Sequence, residues 1–432
     1  MLDIQFIRAN PDLVQQKSNQ KNKNININDF LKIDKKHKSL IQELEDLRGQ
    51  RNKLTSKIKS KPTLEEIDLG VKLKKQIADL ELEFGPVDKS FKDTLKSIPN
   101  MPSDDVPVGS SEDDNKVIKY FGDKKDFNFK PKTHWEVAET LGLMDRQRAA
   151  KISGSRFTYL KGGLVEMQFA LINLVFKLLG DESFIEKIIK DNNLDLVSKP
   201  FIPILPPMMM KTEPYEATGR LKAEDTTYKL ADDDLWLIAS AEHSLCSMYA
   251  DEIIADKDLP IRYIGYSTAF RREAGTYGKD TNGLIRMHHF DKLEMEIFST
   301  PETSRDEHFL AIAIQEELTK LLELPYRVIL KCTADIGDPN ARGVDIETWM
   351  PGQDCYKETH SADYMTDYQT RSLKTRVKRS SDGSIDLAHT NDATALAMSR
   401  TLAAIIENYQ TEDGHIIVPN ILRPLMNNKE QI

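Results

Sequence analysis

The sequence predicts an α+β protein: an N-terminal antiparallel helical hairpin, then a larger domain that mixes antiparallel strand pairs with helices. Three observations carry this. Residues 32–97 are charge-rich and repeat their apolar positions in steps of three and four on either side of Pro62. Residues 269–298 read as a strand, a glycine-bearing loop and a second strand. Residues 345–350 and 355–363 are two more alternating runs separated by a turn. Between the helical and the alternating patterns lies a Pro/Asp/Ser-rich stretch, residues 98–115, which places a domain boundary there: 1–110 and 111–432.

Taken in order, Asn10-Pro11 looks like a helix start with Pro in the first turn. Ile33, His37, Leu40, Leu44, Leu47, Arg51, Leu54 and Ile58 form one heptad seam, and Leu73, Ile77, Leu80, Phe84, Val87 and Phe91 a second. Pro62 breaks the first helix, Thr63 with Glu66 makes a capping box for the next, and Gly85-Pro86 should kink or interrupt it. Between Lys32 and Lys96 there are 16 Lys and Arg against 12 Asp and Glu, a net of +4. Arg51, Lys53, Lys57, Lys59 and Lys61 gather at the tip, as a solvated coiled-coil face or as a surface for phosphates.

In the second domain, residues 163–192 read as one long amphipathic helix running into a strand with paired prolines at 206–207. Residues 235–240 form a short apolar strand, and Ser240-Ala241-Glu242 sits where helix follows, with Ser240 as a candidate N-cap. In the 269–298 hairpin, Ile285, Met287, Leu293, Met295 and Ile297 share one face. Arg286, His288, Phe290, Lys292, Glu294 and Glu296 share the other, with Arg271 and Glu273 on the preceding strand and Arg272 pointing away. The hairpin can therefore aim two arginines, two glutamates and an aromatic ring at one ligand. Its loop, 275–283, is longer than a tight turn, and long loops in compact domains are often functional. Residues 388–410 close the domain with Arg400 on an otherwise apolar helix, where a guanidinium needs an anionic partner, protein or ligand.

Composition narrows the function. Net charge is −9, which does not fit a general nucleic-acid binder, so any RNA contact needs a local basic surface. The three cysteines are scattered and form no CxxC, which argues against a disulfide framework or a zinc site. The longest apolar stretch, near residues 167–180, is too short to span a bilayer and contains Lys177. The N-terminus lacks signal-peptide order, so a cytoplasmic location without membrane contact is expected.

The hairpin segment FRREAGTYGKDTNGLIRMHHFDKLEM resembles the second signature motif of class II aminoacyl-tRNA synthetases, in the version of the seryl-tRNA synthetase family. That pattern is Phe-Arg-x-Glu-Ala-Gly, then Gly-(Arg/Lys)-Asp-Thr-x-Gly-Leu-Ile-Arg-x-His-Gln-Phe-x-Lys-x-Glu. The stretch before residue 208 is similar to the first class II motif, a dimer interface, and SRTLAAIIENYQ to the third. The resemblance covers nearly the whole chain. It implies a class II antiparallel sheet flanked by helices, with the coiled-coil arm lying along tRNA.

It also implies a two-step ligation: L-serine and ATP give seryl-adenylate, and the seryl group passes to tRNA(Ser), with tRNA(Sec) as a possible further substrate. The implied ATP set is Arg271, Arg272, Glu273, Met287, Phe290, Glu358, Thr359, His360, Ser361 and Arg400, with Arg271 and Arg400 catalytic. Glu358 and Ser361 are the implied Mg²⁺ ligands, and His360 is expected at the surface or in a supporting place rather than as a ligand. The implied serine set is Ser240, Ala241, Glu242, Arg271, Glu294, Asp392 and Thr394. A homodimer follows from the first motif. The chain departs from the family pattern in several places. Thr390-Asn391-Asp392-Ala393-Thr394 replaces Thr-Leu-Asn-Gly-Ser, Ala362-Asp363-Tyr364 replaces Cys-Ser-Asn, and Ser399 replaces Gly. Two other readings are a ligase that loads a carrier protein and a non-catalytic coiled-coil paralogue. The arm opposes the first; Arg271, Glu273, Glu294 and Arg400 oppose the second.

Overall fold

The computed structural model describes residues 1–59, 61–221, 226–273 and 282–432. Most of the 275–283 loop, Ser60 in the helix break and part of the 213–230 stretch lie outside the described residues. Contacts divide the chain into two units, Met1–Met101 and Pro102–Ile432, so the division falls at the start of the linker rather than its end.

The first unit is helical. Asp3 caps helix α1 (Ile4–Ala9), and Pro11 opens α2 (Pro11–Gln20). The arm is α3 (Ile27–Lys57) against α4 (Leu64–Ser97), with Leu40, Leu44, Leu73 and Ile77 buried in the seam. Arg8 grips Asp34 with two hydrogen bonds of 2.7 and 2.8 Å, fixing α1 to the base of α3. Thr63 and Glu66 form the expected capping box. The expected break at Gly85-Pro86 does not occur, because α4 runs through Pro86. Its cost is one lost N–H donor and a local clash, and packing on both sides offsets it. The His37 ring stacks on Phe91 at 4.2 Å and on Phe84 at 5.3 Å, and Phe30 stacks on Phe91.

The second unit is built on an eight-stranded sheet. Its strands in chain order are β1 (Lys116–Phe121), β2 (Ile202–Ile204), β3 (Ile261–Phe270), β4 (His289–Ser299), β5 (Tyr326–Leu330), β6 (Arg342–Met350), β7 (Cys355–Thr366) and β8 (His389–Ala397). The spatial order is β1-β5-β6-β7-β8-β4-β3-β2, antiparallel throughout except for the parallel β2–β3 edge. Helices α5 (Gly163–Leu179), α6 (Glu182–Asp191), α8 (Ser304–Leu321) and α9 (Met398–Asn408) enclose one apolar core with Leu293, Met295 and Ile297 of β4. Helix α7 (Thr212–Ala217) lies between β2 and β3 in the chain. This is the antiparallel sheet flanked by helices expected from the sequence. Among the described residues no single helix is long and apolar enough to cross a membrane.

Three expectations are corrected. The 163–192 helix is two helices bent by 74°, because Gly180 ends the first and Asp181 caps the second through Ser183 N–H. Residues 389–397 are strand, and α9 starts only at Met398, so Ala395 and Leu396 belong to β8 and not to the helix of Arg400. The regular hairpin spans Ile261–Phe270 and His289–Ser299, which leaves Arg271, Glu273 and Arg286 on its flanks. The left-handed backbone at Glu273 (φ 50°) ends any alternation there, although Arg271 N–H still donates to His288 C=O at 2.9 Å.

One buried ion pair ties β3 to α8. Arg262 meets Glu307 at 2.7 and 2.9 Å, donates also to the carbonyls of Val197 and Lys199, and both side chains are fully buried. Glu307→Ala strands a guanidinium in the core and is expected to cost about 3–5 kcal/mol. Urea unfolding of the variant against the parent measures it.

Candidate active site

A cavity of about 490 Å³ opens over the polar face of β4, β7 and β8. The alternation of β4 puts Lys292, Glu294 and Glu296 on this face, and all three are buried rather than solvated. Lys292 is the hub. Its Nζ donates to Ser240 Oγ at 2.9 Å and lies 2.5 Å from Glu294 and 3.8 Å from Glu242. Burial would raise Glu242, but Lys292 and, beyond it, Arg220 hold its carboxyl far below the usual range. Burial pushes Glu294 well above that range against the pull of Lys292, and the charges of Glu242 and Asp392 push the same way. So burial and the neighbouring charges push the two floor carboxyls in opposite directions, on either side of one ammonium. Burial pushes the neighbouring His243 down to about 3 and keeps it neutral.

Two of the arginines on the cavity walls are Arg271 and Arg400. Arg271 donates from Nε to Ala239 C=O at 3.2 Å and lies 5.2 Å from the Phe290 ring centre. Arg400, at the start of α9, reaches Glu358 through its carbonyl at 2.9 Å and its carboxylate at 2.8 Å. The pocket desolvates Glu358, yet Arg400, Lys331 and Arg271 hold it down at about 2. Opposite β6 the register of β7 slips: Ile346 faces His360 but Glu347 faces Glu358, which leaves Thr359 as an extra residue. A bulge of this kind re-aims side chains. It brings Glu358 and Ser361, three residues apart, to the same cavity, where regular alternation would part them.

The sequence matches the family models for the seryl-tRNA synthetase N-terminal domain over residues 1–102 and the class II core domain (G, H, P, S and T) over 226–409. A serine–tRNA ligase of Pelobacter propionicus is 37% identical over 437 residues, covering all of both chains. The chain belongs to the seryl-tRNA synthetase family. It is 36% identical to the Pyrococcus horikoshii seryl-tRNA synthetase solved with ATP, with a TM-score of 0.84 and coverage of 100% and 99%. The cytoplasmic Naegleria fowleri enzyme solved with AMP is 26% identical, with a TM-score of 0.81 and coverage of 100% and 98%. The enzyme class expected from the sequence, an ATP-dependent, AMP-forming serine–tRNA ligase, is therefore that of this chain.

In this synthetase Glu242, Arg271, Glu273, Met287, Phe290, Glu294, Glu358, Thr359, Ser361, Asp392, Thr394 and Arg400 all line the one cavity. Four expected residues do not. Arg272 is exposed, with its guanidinium 5.5 Å from the Tyr228 ring centre. Ala241 and Ser240 are fully buried beneath the cavity. Ser240 is not an N-cap, since Ala241 takes that position and the Ser240 hydroxyl serves Lys292. His360 is buried rather than at the surface, and its Nδ1 is 2.9 Å from Thr359 Oγ1, because the bulge turns it out of the cavity. Sequence reasoning missed Arg220, Lys331 and Asp363 as lining residues. For Arg220 the signal was a basic residue directly after Thr218-Gly219. Only the folded sheet gives that residue a meaning.

Lys292→Met removes the ammonium that helps hold Glu242 charged, so the Glu242 pKa rises and the charged form is lost first at low pH. The serine KM is expected to rise about tenfold or more near neutral pH. The defect should shrink as pH rises, as read by ATP–pyrophosphate exchange across pH.

Proposed function

We propose that the cavity holds ATP and L-serine side by side, forms seryl-adenylate and pyrophosphate, and then passes the seryl group to the 3′ end of tRNA(Ser). The observation that carries this reading is that Arg271 and Arg400, far apart in the chain, open on one cavity whose floor holds Glu242, Lys292 and Glu294. ATP comes from the Pyrococcus relative, which was solved with it.

In the first step the serine carboxylate attacks the α-phosphorus in line and pyrophosphate leaves. Arg271 bridges the serine carboxylate and the α-phosphate, neutralising charge as it builds. Phe290 stacks on adenine, and Glu273 accepts from its amino group. Arg400 exchanges its Glu358 partner for the γ-phosphate. Glu242 meets the serine ammonium as a carboxylate. Glu294, buried at the cavity floor, pairs with the serine hydroxyl. Thr394, directly opposite Glu294 on β8, supplies a second hydroxyl there. In the second step the 3′-terminal ribose hydroxyl of tRNA attacks the seryl carbonyl and AMP leaves. Neither step needs a protein nucleophile; catalysis is positioning and charge stabilisation.

Glu358 and Ser361 are hard oxygen donors on one wall, and among the described residues no three His, Cys, Asp or Glu side chains form a metal cage. That set fits Mg²⁺, which takes one or two protein oxygens and completes its shell with phosphates and water. When bound, the ion neutralises phosphate charge.

The arm presents Arg51, Lys53, Lys57, Lys59 and Lys61 at its tip, all exposed, and these meet tRNA phosphates. Phe169 of α5, Ile202 of β2 and Leu205 are 58%, 50% and 74% exposed, an apolar face that a second copy covers in a homodimer. The enzyme works in the cytoplasm with its tRNA.

The deciding experiment is amino-acid-dependent ATP–pyrophosphate exchange with serine, alanine, threonine and glycine. Exchange is expected with serine and weaker by about 10⁴ with alanine, which leaves the groups committed to the hydroxyl unpaired. No exchange with serine overturns the reading. A second expectation concerns the arm. Replacing Lys53 and Lys57 with Glu should raise the KM for tRNA about tenfold and flatten its salt dependence, with serine KM nearly unmoved in aminoacylation assays.

A further inference from the structure

The register of the sheet creates a charge conflict at one end of the cavity. Asp363 on β7 and Asp392 on β8 are directly opposite each other, and Asp392 in turn faces Glu296 on β4. Like charges across antiparallel strands push the strands apart. Against the family pattern, Asp363 stands for a serine and Asp392 for an asparagine, so both departures add a carboxylate, and the fold brings them into contact.

The cation within hydrogen-bond reach of both is Arg220. Its Nη2 donates to Asp392 at 2.9 and 3.2 Å and to Asp363 at 3.3 Å. The backbone delivers it there. After α7, Gly219 takes a left-handed turn (φ 71°), Thr218 Oγ1 accepts from Arg220 N–H at 3.0 Å, and Gln369 pins the Thr218 carbonyl at 3.1 Å. Asp363 also needs the missing side chain at Gly343, where a Cβ would lie 3.1 Å from its Oδ1. The three charged groups line the same cavity as Glu242 and Glu294.

We propose that Arg220 is the positioning residue of the amino-acid subsite: it neutralises the Asp363–Asp392 pair and holds Asp392 where the family pattern has an asparagine. This rests on the reading that this end of the cavity takes serine. Without the guanidinium, Asp392 is left to compete for Lys292, the cation that lies between Glu242 and Glu294. One guanidinium shared by the two added carboxylates thus holds both aside and leaves the serine ammonium to Glu242.

The test is ATP–pyrophosphate exchange with the full chain. Arg220→Met is expected to raise the serine KM about tenfold or more while moving the ATP KM less than about twofold. A merely structural loss would move both. Adding Asp363→Ser and Asp392→Asn to Arg220→Met is expected to return the serine KM to within about threefold of the parent. Unchanged serine KM in Arg220→Met overturns the proposal, and so does a triple variant as defective as the single one, since Arg220 would then act on substrate itself. Should Arg220→Met not fold, Asp363→Ser with Asp392→Asn decides. The unpaired guanidinium then repels the serine ammonium and raises KM, and adding Arg220→Met restores it; no rise overturns the proposal. Failure of the parent to exchange with serine would instead overturn the reading of the cavity.

Discussion

Lys292 is the constraint around which the second unit is arranged. A sheet face that buries Glu242, Glu294, Glu296 and Asp392 together is unstable unless each carboxyl is paired or holds a proton. One ammonium on β4 lies between Glu242 and Glu294, 3.8 Å from the first and 2.5 Å from the second, with Glu242 pushed down and Glu294 pushed up. The remaining cations must come from outside the strand. Arg220 comes from the segment after α7 and Arg400 from the first turn of α9. The convergence of distant chain segments on one cavity is thus an electrostatic requirement as much as a packing result.

The same wall shows how a local irregularity makes a site. Without the extra residue at Thr359, Glu358 and Ser361 would face opposite sides of β7, and no pair of oxygens could meet a metal ion or a phosphate there. Arg400 is held by Glu358 at 2.8 Å, so any anion entering the cavity has to compete for a guanidinium that is already aimed. Such preorganisation limits the reorganisation left for the moment of reaction.

Much of the fold was legible. Heptad spacing gave both arm helices, and the Thr63–Glu66 box fixed where the second begins. Period-2 alternation gave β4, β6 and β7. The failures have local causes. Alternation cannot see that Glu273 turns left-handed, and an apolar run cannot separate Ala395 in a strand from Leu402 in a helix. Proline at position 86 reads as a breaker, yet the His37, Phe84 and Phe91 stack keeps α4 continuous.

By itself, the sequence determined the reaction class, and most of the residues it singled out line one cavity, because class II motifs gather them in short contiguous patterns such as Arg271 to Glu294. It could also say that Asp363 and Asp392 were unusual. Only the tertiary structure decided that these two face each other, that Arg220 lies between them, and that Ser240 serves Lys292 instead of capping a helix. Strand register, not residue spacing, sets which side chains meet across a sheet, and a linear pattern does not contain that register.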